Sequence, residues 1–231
     1  MTTSTRSDGA LNRELQALVE GAGLPAEVAQ TIARANAQIE QSGAATGLAV
    51  GDIAPEFALF GADGHQVRLS ERLAEGLVIV SFYRGAWCPF CNLELRALAS
   101  ALPRISELGA SLIAISPQAP DESADMVAQH QLTFDVLSDL DGAVARAWKL
   151  RFTVSDELKA LYQNVFTLDL TKANADGSWT LPVPGTFVLD RHGVIRARYV
   201  SSDYTTRMEP DEIISVLAAL AITGDHMGEN S

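Results

Sequence analysis

The sequence predicts an α/β fold: a central sheet with parallel strands, flanked by helices. Three observations carry this. Leu77–Tyr83 (LVIVSFY) is a nearly unbroken apolar run with β-branched residues, as expected of a strand covered on both faces. A second such run, SLIAIS at 111–116, follows it after a stretch of helix formers. Strands alternating with helices in this way give right-handed βαβ units. The 231 residues suit one domain with an extension. A composition of 47% hydrophobic and 20% charged residues excludes wholesale disorder. Lys plus Arg number 17 against 29 Asp plus Glu, a net charge of -12, so there is no basic field for nucleic acid or anionic lipid. No apolar run approaches the ~20 residues of a membrane span. The opening MTTSTRSDGALNREL lacks an apolar leader core, so a cytoplasmic protein is expected, with neither nucleic acid nor membrane as partner.

Residues 1–9 are small and polar and are expected to be disordered. Leu11, Leu15, Leu18 and Val19 then fall on one helical face, ended by Gly21 and Gly23. Pro25 opens a second helix, with Val28, Ile32, Ala35 and Ile39 on one stripe until Gly43. This hairpin completes an N-terminal extension over 1–48, which either packs on its own domain or docks on a second subunit in a homodimer. The main domain is expected over 49–221. GDIAPEFALFGADG and HQVRLSERL read as a strand or hairpin leading into a helical turn. After Leu77–Tyr83 comes a helix with Leu95, Leu98 and Leu102 on one stripe, then the 111–116 strand, a helix around Glu122 to His130, and a strand in LTFDVLSD. Residues 151–182 break the rhythm and read as an insertion: a helix from Ser155 to Val165, then TKANADGSW as an exposed loop. Thr186–Asp190 and Val194–Val200 form a hairpin about the Arg191-His-Gly193 turn. Pro210 opens a last helix that buries Ile213, Ile214, Leu217 and Leu220, and 222–231 form a flexible tail.

The only two cysteines, Cys88 and Cys91, form one C-x-x-C between the Leu77–Tyr83 strand and the next helix. A disulfide closing so small a ring adds little stability, which leaves chemistry as the reason for the pair. Structural zinc needs four ligands, and the four histidines are scattered without ligand spacing, so no metal and no cofactor is expected. Two buried cysteines packing as small hydrophobes is the bland alternative. Cys88 falls at the helix cap and Cys91 in its first turn, where unpaired N–H groups and the helix dipole favour a thiolate. Cys91 is close enough in sequence to reach an oxidised Cys88, and a dithiol donor can reopen the product by exchange. Arg84 either lowers the thiol pKa further or merely solvates the surface. Trp87 and Pro89 frame the site, the indole shielding it and the proline suiting a helix start. Glu94 either orients a proton near the thiols or, as an acid in the first turn, simply stabilises the helix. Tyr83 and Trp87 either line a pocket or pack in the core, and Asp203 and Tyr204 either position Arg207 or form a plain loop.

The stretches GDIAPEFAL, VSFYRGAWCPFCNLEL, LIAISPQAPDESADMVAQHQLTFDVLSDLDGAVARAWKL, PVPGTFVLDRHGVIRARYV and DYTTRMEPDEII resemble the peroxiredoxin-like branch of the alkyl hydroperoxide reductase/thiol-specific antioxidant (redoxin) family, over about 49–220. The resemblance implies a thioredoxin-like, peroxiredoxin-type fold. It also implies reduction of hydroperoxides by a cysteine thiolate, recharged by a thioredoxin-type or small-thiol donor. Laid on the family's P-x-x-x-T-x-x-C motif, Arg84 takes the proline position, Cys88 the threonine position and Cys91 the peroxidatic position, with Glu94 as a family-like acid. Pro184 replaces one family arginine, and Arg207 matches a second. Thioredoxins carry a C-x-x-C at the Cys88/Cys91 position and a cis-proline in a context like Val183-Pro184-Gly185-Thr186-Phe187.

The two signatures predict different chemistry. A peroxidase needs donors for the departing oxygen, for which Arg84 and Arg207 are the candidates. A disulfide exchanger needs an exposed attacking thiol and a backbone groove beside Pro184. Peroxiredoxin alignment makes Cys91 the attacking sulfur; thioredoxin chemistry and the helix-terminus argument make it Cys88. A redox sensor without turnover is the third reading.

Overall fold

The structure is a computed structural model and describes residues 9–225. The polar start at 1–8 and the end of the tail at 226–231, with His226, lie outside the described residues. In chain order the elements are α1 (Ala10–Gly21), α2 (Ala26–Ser42), β1 (Ala58–Gly61), β2 (Gln66–Arg68), α3 (Leu69–Glu75), β3 (Leu77–Phe82), α4 (Pro89–Glu107), β4 (Ala110–Ser116), α5 (Pro120–His130), β5 (Asp135–Ser138), α6 (Ala143–Ala147), β6 (Arg151–Thr153), α7 (Asp156–Asn164), α8 (Leu170–Ala173), β7 (Thr180–Pro182), β8 (Gly185–Leu189), β9 (Ile195–Val200) and α9 (Pro210–Asp225).

Seven strands form one mixed sheet in the order β2-β1-β5-β4-β3-β8-β9. β3, β4 and β5 run parallel, as their helical crossovers require; β8 pairs antiparallel to β3 and β9 antiparallel to β8 on one side, and β1 antiparallel to β5 and β2 antiparallel to β1 on the other. All six residues of β3 are buried, because the sheet is covered on both faces. On one face Phe82, Trp148 and Phe187 stack edge to tilt at centroid distances of 5.1 to 6.3 Å. On the other, Ile79, Leu98, Ile105, Val188, Ile213 and Leu217 join α4 and α9 to the sheet.

The helical hairpin packs on its own domain: α1 lies against α4, and α2 against α7. Only the inner half of the expected α1 stripe is buried. Leu11 and Leu15 are covered, whereas Leu18 is half-buried and Val19 exposed, since both face a cavity. Gly9, expected in the disordered start, is the N-cap of α1. The free N–H groups of Leu11 and Asn12 are capped by the buried carboxylate of Glu209, at 3.2 and 2.8 Å. A methyl group on Gly9 would overlap that carboxylate. Asn12 completes the latch, donating to the Arg207 carbonyl at 2.8 Å and accepting from the Arg207 N–H at 3.1 Å.

Two further expectations need correction. TKANADGSW is exposed over most of its length, as expected, but is not all loop: its first three residues end α8, and buried Asn174 pins the turn after it, donating to the carbonyls of Ser178 and Thr180 at 2.9 and 2.8 Å. β6 and β7 form a separate two-stranded ribbon around it. α9 continues to Asp225 rather than ending at 221, because Ala219 to Ile222 are helix-compatible and nothing before Gly224 interrupts them.

Replacing Glu209 with Ala removes the cap of α1 and strands donors beside Arg207. We expect a loss of about 2 kcal/mol in urea unfolding, with Glu209→Gln retaining part of it.

Candidate active site

The end of β3, the first turn of α4 and the segment before α9 meet at the two cysteines. Gly85 makes the connection possible: its φ is +145°, and a Cβ there would lie 2.5 Å from the Trp87 indole nitrogen. The loop is then tied from both sides. The Ala86 N–H donates to the buried Gln118 amide oxygen, and Asn92 donates to the Ala86 carbonyl at 2.9 Å. Cys88 is the N-cap of α4, exposed Pro89 is its first residue, and Cys91 sits in the first turn, as the spacing predicts.

Both sulfurs are free thiols and both side chains are buried, with Cys88 1% and Cys91 0% exposed. An exposed attacking thiol is therefore absent. Cys88 instead forms part of the wall of a cavity of about 890 Å³, whose other walls come from α1, α2, α7 and the 202–205 loop. Cys91 lies deeper, outside the cavity lining.

Each sulfur has its own guanidinium. Arg207 Nη2 donates to Cys91 Sγ at 3.3 Å, and its Nε pairs with Glu94. Its Nη1 is used up on the carbonyls of Tyr204 and Thr206 at 2.6 and 2.7 Å. So Tyr204 does position Arg207, through its main chain. The other Glu94 oxygen accepts from the Ser81 and Thr186 hydroxyls at 3.2 and 3.3 Å. Glu94 is not a first-turn acid stabilising the helix dipole: it lies one turn further on, buried at 1% exposure and committed to Arg207.

Arg84 is 4% exposed, which removes the surface reading. Its Nη1 is 3.9 Å from Cys88 Sγ, and its Nη2 donates to the Tyr162 hydroxyl. Among the described residues no carboxylate forms an ion pair with it; the groups that raise its pKa are Tyr162, Cys88, Tyr204 and Cys91. Three aromatic faces surround the guanidinium, with Trp87, Tyr162 and Tyr204 centroids 4.8, 5.6 and 4.2 Å away. Desolvating a cation costs several kcal/mol, and three such contacts at up to about 2 kcal/mol each are of the same order. The cage holds the charge without neutralising it.

This asymmetry divides the thiols. Burial disfavours a Cys88 thiolate, but the hydrogen bond from Cys91 and the charges of Arg84 and Arg207 outweigh it and bring the pKa down to about 6. Burial, the hydrogen bond given to Cys88 and the Cys88 charge push Cys91 well above its ordinary value, against the pull of Arg207 and Arg84. Burial also pushes the Tyr162 phenol up and the Tyr204 phenol to about 12, so both are neutral at physiological pH.

Trp87 is half-buried over Arg84, and Tyr83 is a core residue, at 0% exposure. Pro184 needs the largest correction. No peptide bond among the described residues is cis, and Pro184 is buried between β7 and β8. Tyr162 and Gln118 were not among the expected site residues. The Leu158, Leu161, Tyr162 spacing signals a buried helix face, but nothing in it says that the face meets Arg84.

The AhpC/TSA family profile matches residues 50–198, more than half of the chain, and stops short of Arg207 and α9. Peroxiredoxin Bcp of Escherichia coli (strain K12) is 33% identical over 97 residues, 42% of this chain and 62% of that protein. The chain thus aligns with less than two thirds of this relative's length. Thiol-disulfide oxidoreductase ResA of Geobacillus kaustophilus (strain HTA426) is 26% identical over 152 residues, 65% of this chain and 69% of its own. The crystal structure of peroxidoxin BcpB from Mycobacterium tuberculosis superimposes with a TM-score of 0.59 at 22% identity, covering 74% of this chain and 97% of that one. The fold is that of the peroxiredoxins, within the thioredoxin-like class.

Alkylation by iodoacetamide, mapped by peptide mass, should modify Cys88 with a midpoint near pH 6 and leave Cys91 protected. The rate falls as pH drops through 6, because only the thiolate reacts. Arg84→Met should raise the midpoint by about one unit or more.

Proposed function

Because the chain belongs to the AhpC/TSA family, we propose that it is a thiol-dependent peroxidase in which Cys88 attacks and Cys91 resolves. One observation carries this reading. The low-pKa sulfur is buried in a cavity wall beside an uncompensated guanidinium, where a small hydroperoxide fits and a folded disulfide protein does not.

The Cys88 thiolate attacks the outer oxygen of the hydroperoxide. The O–O bond breaks, the sulfur is oxidised to a sulfenic acid, and the alkoxide leaves with a proton as alcohol or, from hydrogen peroxide, as water. Arg84 Nη1, aimed at the sulfur, stabilises the charge gathering on the departing oxygen. The Cys91 sulfur then attacks Cys88, its proton leaving with the hydroxide as water, and a disulfide forms. Two electrons from a thiol donor reopen it by exchange. Arg207, held by Glu94 and by two carbonyls, lowers the cost of the Cys91 thiolate in that second step.

The runner-up is a thiol–disulfide oxidoreductase. The C-x-x-C at the start of α4 and the likeness to ResA favour it. The burial of Cys88 weighs against it.

A stoichiometric pulse of hydrogen peroxide or cumene hydroperoxide on single-cysteine variants tests the assignment. In Cys91→Ser one oxygen should appear on Cys88 and persist; Cys88→Ser should take up none at a comparable rate. Oxygen on Cys91 in the second variant would reverse the roles. Rates no faster than those of a free thiolate, together with rapid insulin reduction, would replace the peroxidase by the exchanger.

A further inference from the structure

Tyr162 comes from α7, inside the segment that interrupts the α/β rhythm, yet it is buried at the centre of the site. Its hydroxyl accepts from Arg84 Nη2 while the other arm of the same guanidinium approaches Cys88. A guanidinium is a rigid planar fork, so fixing one arm aims the other. The remaining neighbours cannot do this. Trp87 and Tyr204 offer Arg84 ring faces, which attract the charge without selecting a rotation. Among the described residues no carboxylate holds it by a paired bond.

We propose that Tyr162 is a positioning residue, whose hydroxyl holds the Arg84 fork in the orientation that stabilises the Cys88 thiolate. This rests on the reading that Cys88 is the attacking sulfur, and it gives the 151–182 segment a function: delivering one phenol to the active site. α7 is braced from outside by α2, through contacts including the 2.6 Å ion pair of Arg34 with Glu157. The hairpin, α7, Tyr162 and Arg84 form one packed series ending at the sulfur.

The groups facing Cys88 are Arg84 from the loop after β3, Cys91 on α4, Arg207 and Tyr204 from the segment before α9, and Tyr162 from α7, with Glu94 behind Arg207. The test must separate a lost hydroxyl from lost packing. Cys88 alkylation by iodoacetamide is followed against pH in full-length protein carrying Tyr162→Phe, Tyr204→Phe, Arg84→Met, or Arg84→Met with Tyr162→Phe, with urea midpoints recorded alongside. Tyr162→Phe keeps the ring and should raise the alkylation midpoint by about 0.5 to 1 unit, with the urea midpoint little changed. Tyr204→Phe should leave the profile in place. In the Arg84→Met background, Tyr162→Phe should add no further shift, as expected of a residue acting through Arg84. An unmoved profile in Tyr162→Phe overturns the proposal; so does an equal shift in Tyr204→Phe, or a full additional shift without Arg84. Alkylation reads the thiolate whether or not peroxide is reduced. Normal shifts in a protein that consumes no hydroperoxide would therefore sink the peroxidase and spare the role of Tyr162.

Discussion

Two buried guanidiniums beside two buried sulfurs are the constraint around which this molecule is organised. A desolvated charge must be answered by something, and the two arginines are answered differently. Arg207 has a carboxylate, Glu94, and gives the sulfur beside it only what that pair leaves over. Arg84 has aromatic faces and one neutral phenol, so most of its field falls on Cys88. The split between an acidic and a basic thiol, three residues apart in sequence, follows from burial and from the hydrogen bond and charge that couple the two sulfurs, with both guanidiniums favouring the thiolate, rather than from the helix dipole. The dipole acts on both positions of the first turn and cannot by itself drive them in opposite directions.

The sheet supplies the rigidity this requires. β3 is paired on both sides and buried throughout, so the loop leaving its end starts from a fixed point. Ser81 and Thr186, register partners on β3 and β8, both aim hydroxyls at Glu94, and thereby tie the sheet to α4 and to Arg207. A polar network this deep is tolerable because its members satisfy one another.

The α/β core and the cysteine pair were legible in the sequence because each rests on local pattern. Apolar runs mark the strands, and Cys88-Pro89-Phe90-Cys91 at a strand-to-helix junction marks the site. Arg207 was legible through family likeness alone. What escaped was the set of contacts between segments distant in the chain. Glu94 carries no local sign that it will meet Arg207, nor does Arg84 show that it will be enclosed, because burial is decided by α7 arriving from some 78 residues away. Pro184 misled for the same reason: a five-residue likeness to another family's proline turn says nothing about the peptide geometry its surroundings impose. The composition of TKANADGSW signals its exposure, but not that Asn174 turns inward to hold the carbonyls of Ser178 and Thr180.

The hairpin is joined to the rest of the protein by a bond that spans almost the whole chain. Glu209 closes the N-terminus of α1, and Asn12 reaches the backbone of Arg207. During synthesis α1 thus lacks its cap until residue 209 has been made. The cavity wall that α1 supplies is fastened only after the segment before α9 is made, so a chain cut short before that point would leave α1 with its packing on α4 but without its cap.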